Sequence, residues 1–189
     1  MGSTIKLSIA ALTAALALSA APQTRDSASA QSSPNIVTAE AVRETPPHNK
    51  SADDVEFLVD AMRTGLAEVR LGELAEQRSY DPRVRDYGAK LKSDHMAQVA
   101  ELERLLKPLQ VTIPAEPSAE AQAHHAALAR LTGEQFDASF ITTMIASHME
   151  AIEQYGAQTH ANPDRALADF ASKSLPMLRE HLAAAQALR

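Results

Sequence analysis

Two proline-containing breaks constrain this chain more than any other feature. Asp81-Pro82 and Asn162-Pro163 each put a helix-capping side chain directly before a proline. Proline suits the first helical turn, where its missing N–H would have had no intrahelical partner. On both sides of each break, apolar residues recur at the 3.6-residue spacing of a buried helical stripe. The chain is thus written as helix, break, helix, twice over. DPRVRDYGAK from Asp81 to Lys90 matches NPDRALADFASK from Asn162 to Lys173 once two residues are inserted. Two hairpins of this kind, joined by a long connection, make an antiparallel four-helix bundle.

Composition agrees. Hydrophobic residues make up 45% of the chain but aromatics only 4%, and Ala and Leu, both strong helix formers, dominate. No segment alternates as a strand would, so the expected class is all-α. A net charge of −6 argues against a general nucleic-acid binder, which needs a positive surface. The absence of cysteine excludes disulfides, thiolate metal sites and lipid-modified cysteine.

The first helix is expected from Ala52 to Arg78, capped by Ser51, with Leu58, Ala61, Met62, Gly65, Val69, Gly72 and Ala75 inward. Two mid-helix glycines on one face, each costing ~1 kcal/mol relative to Ala, suggest close helix approach or room beside Glu68, which either joins that face or reaches solvent at its edge. The second helix runs from Pro82 to about Lys107, with Val84, Tyr87, Gly88, Leu91, Val99, Leu102 and Leu106 inward. After a loop with three prolines, a short helix from Ala119 to about Leu131 is capped by Ser118, and its adjacent His124 and His125 read as a solvated face. Thr132 with Gln135 matches a capping box ahead of a long helix to about Ala161. The last helix is expected from Pro163 to about Leu188, kinked at Pro176.

Residues 1–30 read as a signal peptide. Lys6 precedes an apolar run from Leu7 to Ala21 that falls short of the ~20 residues a membrane span needs; the alternative is an uncleaved membrane anchor. The polar, proline-containing stretch 31–50 reads as a linker, leaving 51–189 as the bundle domain. The expected location is the periplasm or another extracytoplasmic space, with no transmembrane span in the mature chain. The oligomeric state is left open, a homo-oligomer included.

One chemical clue recurs. Each long helix places a Glu or His near mid-length on its inner face: Glu68, then His95 beside Asp94, then His148, then His181. Counted from the breaks, the first three share a level and His181 lies about a turn deeper. Such a layer can hold a transition metal, with Glu68, Asp94, His95, His148 and His181 as candidate ligands and iron, copper or zinc as candidate ions. The Glu-x-x-His motif of di-iron bundles is absent: Lys92, Ile145 and Leu178 stand three residues before the helical histidines. Met144 with His148, and Met177 with His181, form Met-x-x-x-His pairs, a donor combination that suits copper. The alternative is a non-catalytic structural or stress-related interaction protein, in which the layer only hydrogen-bonds internally and fixes helix register. No nucleophile motif, phosphate loop or HExxH speaks for an enzyme.

The tract FLVDAMRTGLAEVRLGELAEQRSYDPRVRDYGAKLKSDH, then FDASFITTMIASHMEAI, then FASKSLPMLREHL, resembles the bacterial family called domain of unknown function 4142, over about Asp54 to Leu182. The resemblance implies a ferritin-like bundle and export. Exported members of that family often carry an outer-membrane label, but nothing in this sequence supports a β-barrel. FITTMIASHMEAIE also resembles the Met- and His-containing helix of domain of unknown function 305, some of whose members are linked to copper. This chain has Ser147 where that family tends to have a second His.

Overall fold

The computed structural model describes residues 50–160 and 162–189, and of His160 the backbone alone. The expected signal peptide and most of the linker lie outside the described residues. Among the described residues there are five α-helices: α1 Ala52–Arg78, α2 Pro82–Leu106, α3 Ala119–Leu128, α4 Gly133–His160 and α5 Arg165–Ala187. A 3-10 turn, Lys107–Leu109, extends α2. There is no strand among the described residues, and none of these helices is long and apolar enough to cross a membrane. The fold is the expected antiparallel four-helix bundle of two hairpins, with the short α3 in the central connection.

The helix starts follow local chemistry. Ser51 accepts from the backbone N–H of Asp54, whose carboxylate accepts from the N–H of Ser51 in return, a reciprocal box that satisfies two orphan donors. Asp81 caps α2 ahead of Pro82, and Ser118 caps α3. At the second break the expectation fails. Asp164, not Asn162, caps α5 by accepting from the N–H of Leu167. Asn162 instead accepts from the N–H of Asp164 and donates to the Asp54 carboxylate, so its amide ties the turn to the start of α1. Its side chain has more polar partners off the helix than on it, which moves the first turn two residues along.

Side chains fill the bundle in two apolar clusters. One gathers Leu58, Met62, Leu102, Tyr155, Phe170 and Leu178, and the other Leu71, Leu91, Phe136, Phe140, Met144 and Ala185. The stripes differ in detail from the sequence expectation: Val69 and Val99 are half-buried, while Leu71, Leu74 and Gln98 are fully inside. Within the first hairpin the helices meet backbone to backbone. A Cβ at Gly72 would lie 2.5 Å from the Gly88 carbonyl oxygen and 2.9 Å from the Lys92 nitrogen, so only glycine fits there. Close helix approach is therefore the reason for that glycine. On every long helix one buried Glu or His lies between the two clusters.

Candidate metal centre

Those residues are Glu68 on α1, His95 on α2, His148 on α4 and His181 on α5, and none is more than 3% exposed. One ring nitrogen from each of the three histidines falls within 4.8 Å of the others. His181 stands at the level of the others, not a turn deeper, because α5 starts at Arg165 and the count from the break overstated its depth.

The groups behind the rings assign their tautomers. His148 Nδ1 lies 2.9 Å from the Met144 carbonyl oxygen, which can only accept, so this nitrogen carries the proton and Nε2 turns its lone pair inward. His181 Nε2 lies 2.8 Å from the Asp94 carboxylate and donates to it, leaving the lone pair on Nδ1. These two inward nitrogens are 3.2 Å apart. His95 Nδ1 meets Gln98 Oε1 at 3.0 Å, which turns its Nε2 inward, 3.5 Å from Glu68 Oε2. The same Glu68 oxygen stands 3.8 Å from His148 Nε2. Ser147 donates its hydroxyl to the other Glu68 oxygen. Neither Glu68 Oε2 nor His95 Nε2 has a hydrogen-bond partner.

Burial pushes His95 below the usual imidazole value, with Glu68 pulling it back up and His148 pressing it further down. Burial also lowers His181, against the raising effect of its bond to Asp94. Asp94 is itself held low: desolvation raises it, but the bonds to Lys90 and His181 outweigh that. Tyr87 donates to the His181 carbonyl oxygen at 3.2 Å and steadies α5 at the level of the centre.

The structure thus gathers His95, His148 and His181 around one point, sets Glu68 beside His95 and His148, and puts Asp94 on the far side of the His181 ring. The methionines of the Met-x-x-x-His pairs have other places. Met144 packs its side chain in an apolar cluster and offers His148 its carbonyl, while Met177 is half-buried against the opposite cluster. His124 and His125 stay off the centre; His124 is exposed, 3.3 Å from the Thr143 hydroxyl. Sequence reasoning did not single out Gln98 or the contact of Ser147 with Glu68. Gln98 was findable, since it follows His95 by three residues and shares its helix face. Nothing in the sequence ties Ser147 to Glu68, 79 residues away.

Residues 39–188 match the model of a family described as Domain of unknown function (DUF4142). No curated protein matches the chain. Among solved structures, a DUF305 fragment from Deinococcus radiodurans is similar at a TM-score of 0.64 and 18% identity, covering 73% of this chain and 95% of that one. At that identity the likeness speaks for the helical fold alone.

Proposed function

The chain belongs to the DUF4142 family, and we propose that this member binds one first-row transition-metal ion in the middle of its bundle. The donors are His95 Nε2, His148 Nε2, His181 Nδ1 and one oxygen of Glu68. One observation carries the reading: His148 Nε2 and His181 Nδ1 face each other at 3.2 Å while both rings commit their N–H elsewhere. Two lone pairs at that distance repel unless a proton or a metal ion lies between them. Two metal–nitrogen bonds of ~2.0–2.1 Å at the tetrahedral angle hold their nitrogens ~3.3–3.4 Å apart. The widest pair of ring nitrogens must draw in by ~1–1.5 Å to close the same geometry. Three imidazoles and a carboxylate suit zinc, iron or copper. Met144 O, Gln98 and Asp94 are the outer partners that fix ring orientation in such sites. When bound, the ion supplies Lewis acidity or, if iron or copper, a redox couple. Burial of all four donors favours holding an ion over turning over a large substrate.

A second reading rests on the amide nitrogen of Gln98, which is buried without a partner. Turning that amide over makes it the donor to His95 Nδ1. His95 Nε2–H then donates to Glu68, and the layer becomes a structural network. The N–H carried by His95 in the metal-free protein, read by ¹⁵N NMR, separates the two: a proton on Nδ1 fits the metal reading, one on Nε2 the network.

The main test is elemental analysis of the full chain, purified without an affinity tag, followed by titration with iron, zinc and copper. We expect close to one ion per chain, lost in His148→Ala and kept in His124→Ala. At a hundredfold excess of free ion over Kd, the ion adds ~2.7 kcal/mol to stability. No uptake at micromolar metal, with His148→Ala equally destabilised with and without metal, would sink the reading. The proposal extends to export: Lys6 and the apolar run Leu7 to Ala21 are the support, and the N-terminal sequence of the mature protein from a cell-envelope fraction checks it.

A further inference from the structure

Two clefts reach toward the centre from different sides of the bundle. One, of about 450 Å³, lies between α2 and α5 and touches Asp94 and Gln98. The other, of about 420 Å³, lies between α1, α3 and α4 and ends on Glu68 and Ser147. Both carry excess negative charge, but they meet the imidazoles differently. Asp94 and Gln98 stand behind His181 and His95 and accept their N–H groups. A cation arriving through the α2–α5 cleft therefore faces ring protons. A cation arriving through the other cleft reaches Glu68, whose inner oxygen faces the lone-pair nitrogens of His95 and His148.

Glu68 is built for both positions. Its side chain is only 4% exposed, so it closes the floor of the cleft. Its outer oxygen is held by the Ser147 hydroxyl, and its inner oxygen has no hydrogen-bond partner. The wall above it carries Glu120, Glu150 and Asp60, the last paired with the single Arg63, so the wall keeps an excess of negative charge. The cover over this cleft is light: α3 buries one side chain of its own, Leu128.

Resting on the metal-site reading, we propose that the α1–α3–α4 cleft is the loading route for the ion and that Glu68 passes it inward. Asp60, Glu120 and Glu150 concentrate the hydrated cation. Ser147 releases the outer oxygen of Glu68, which takes the ion as it sheds water. Rotation of the carboxylate then delivers the ion to His95, His148 and His181, with Glu68 remaining as the fourth donor.

The test is rapid mixing of the metal-free full chain with Co²⁺, following its visible absorption in the site. The triple variant Asp60→Asn, Glu120→Gln, Glu150→Gln should load roughly tenfold more slowly at low ionic strength, with the difference shrinking as salt rises. Its final stoichiometry should equal that of the parent protein. The mirror variant Glu101→Gln, Asp169→Asn, in the α2–α5 cleft, should load at the parent rate. Parent-rate loading by the triple variant, or equal slowing in the mirror variant, would overturn the route and leave the metal site standing. No Co²⁺ uptake by the parent protein would overturn the site and the route together. Unchanged helical circular dichroism in both variants shows that any slowing is not misfolding.

Discussion

The two hairpins share an outline but are held together by different means. In α1–α2, Gly72 and Gly88 let the backbones touch, and a Cβ on either would run into the other helix within 2.7 Å. In α4–α5 there is no such contact: a Cβ on Gly156 meets nothing within 4 Å, and the helices pack through side chains such as Tyr155 on Phe170. Helices within a hairpin lie much closer along their lengths than helices of opposite hairpins. Each hairpin brings half the centre, Glu68 with His95 from one and His148 with His181 from the other. The centre therefore exists only where the hairpins dock, and the difference teaches which half is pre-set. The first hairpin fixes its pair through rigid backbone contact. The second fixes its pair through the Met144 carbonyl and, across the bundle, through Asp94 of the first.

The largest expected effect tests the glycine contact. Gly72→Ala should cost about 3 kcal/mol, the upper range for overpacking, because the clash is with backbone that cannot rotate away; the urea midpoint of the metal-free protein measures it. Stability within a few tenths of the parent value would show that the hairpin is not backbone-locked.

Next comes the link between hairpins. Asp94→Asn keeps the shape but removes the charge that orients His181, and should weaken metal affinity ~10–100-fold. Competition with a chelator reads this out, and unchanged affinity would mean that the second hairpin sets His181 unaided.

Acidification bears on both halves at once. Burial holds His95 and His181 below 6.5, so between that value and their folded values the unfolded chain binds more protons. The stability of the metal-free protein should be complete above pH 6.5 and should fall as the pH drops below it. His95→Gln and His181→Gln should each flatten that fall in thermal melts at pH 7.5 and 5.5. If only one does, the titrating half of the layer is identified.

The smallest effect has the opposite sign. Gly156→Ala in the second hairpin should gain ~0.5–1 kcal/mol, since the helix loses a flexible residue and the new methyl meets open space. A loss there would mean that α4 has a close neighbour that the isolated chain does not show.

The four long helices, their pairing into hairpins and most of each inward stripe were legible in the chain. Periodicity, Ser51, Asp81 and Ser118 are local signals, and a helix is a local structure. The sequence also determined that His148 and His181 point toward the core, because their spacing from Met144 and Leu178 is helical. What it left undecided turns on partners distant in the chain. Whether Glu68 reached solvent or the core depended on α4, which supplies Ser147. Asp94 and His95 both bordered one stripe; only the position of α5 put Asp94 behind His181 and His95 in front of Glu68. Asn162 lost its capping role to Asp164 because Asp54, 108 residues away, competes for its amide. A side chain's rotamer, and the ring nitrogen that keeps the proton, are set by whatever group stands opposite, and only the packed tertiary structure says which group that is.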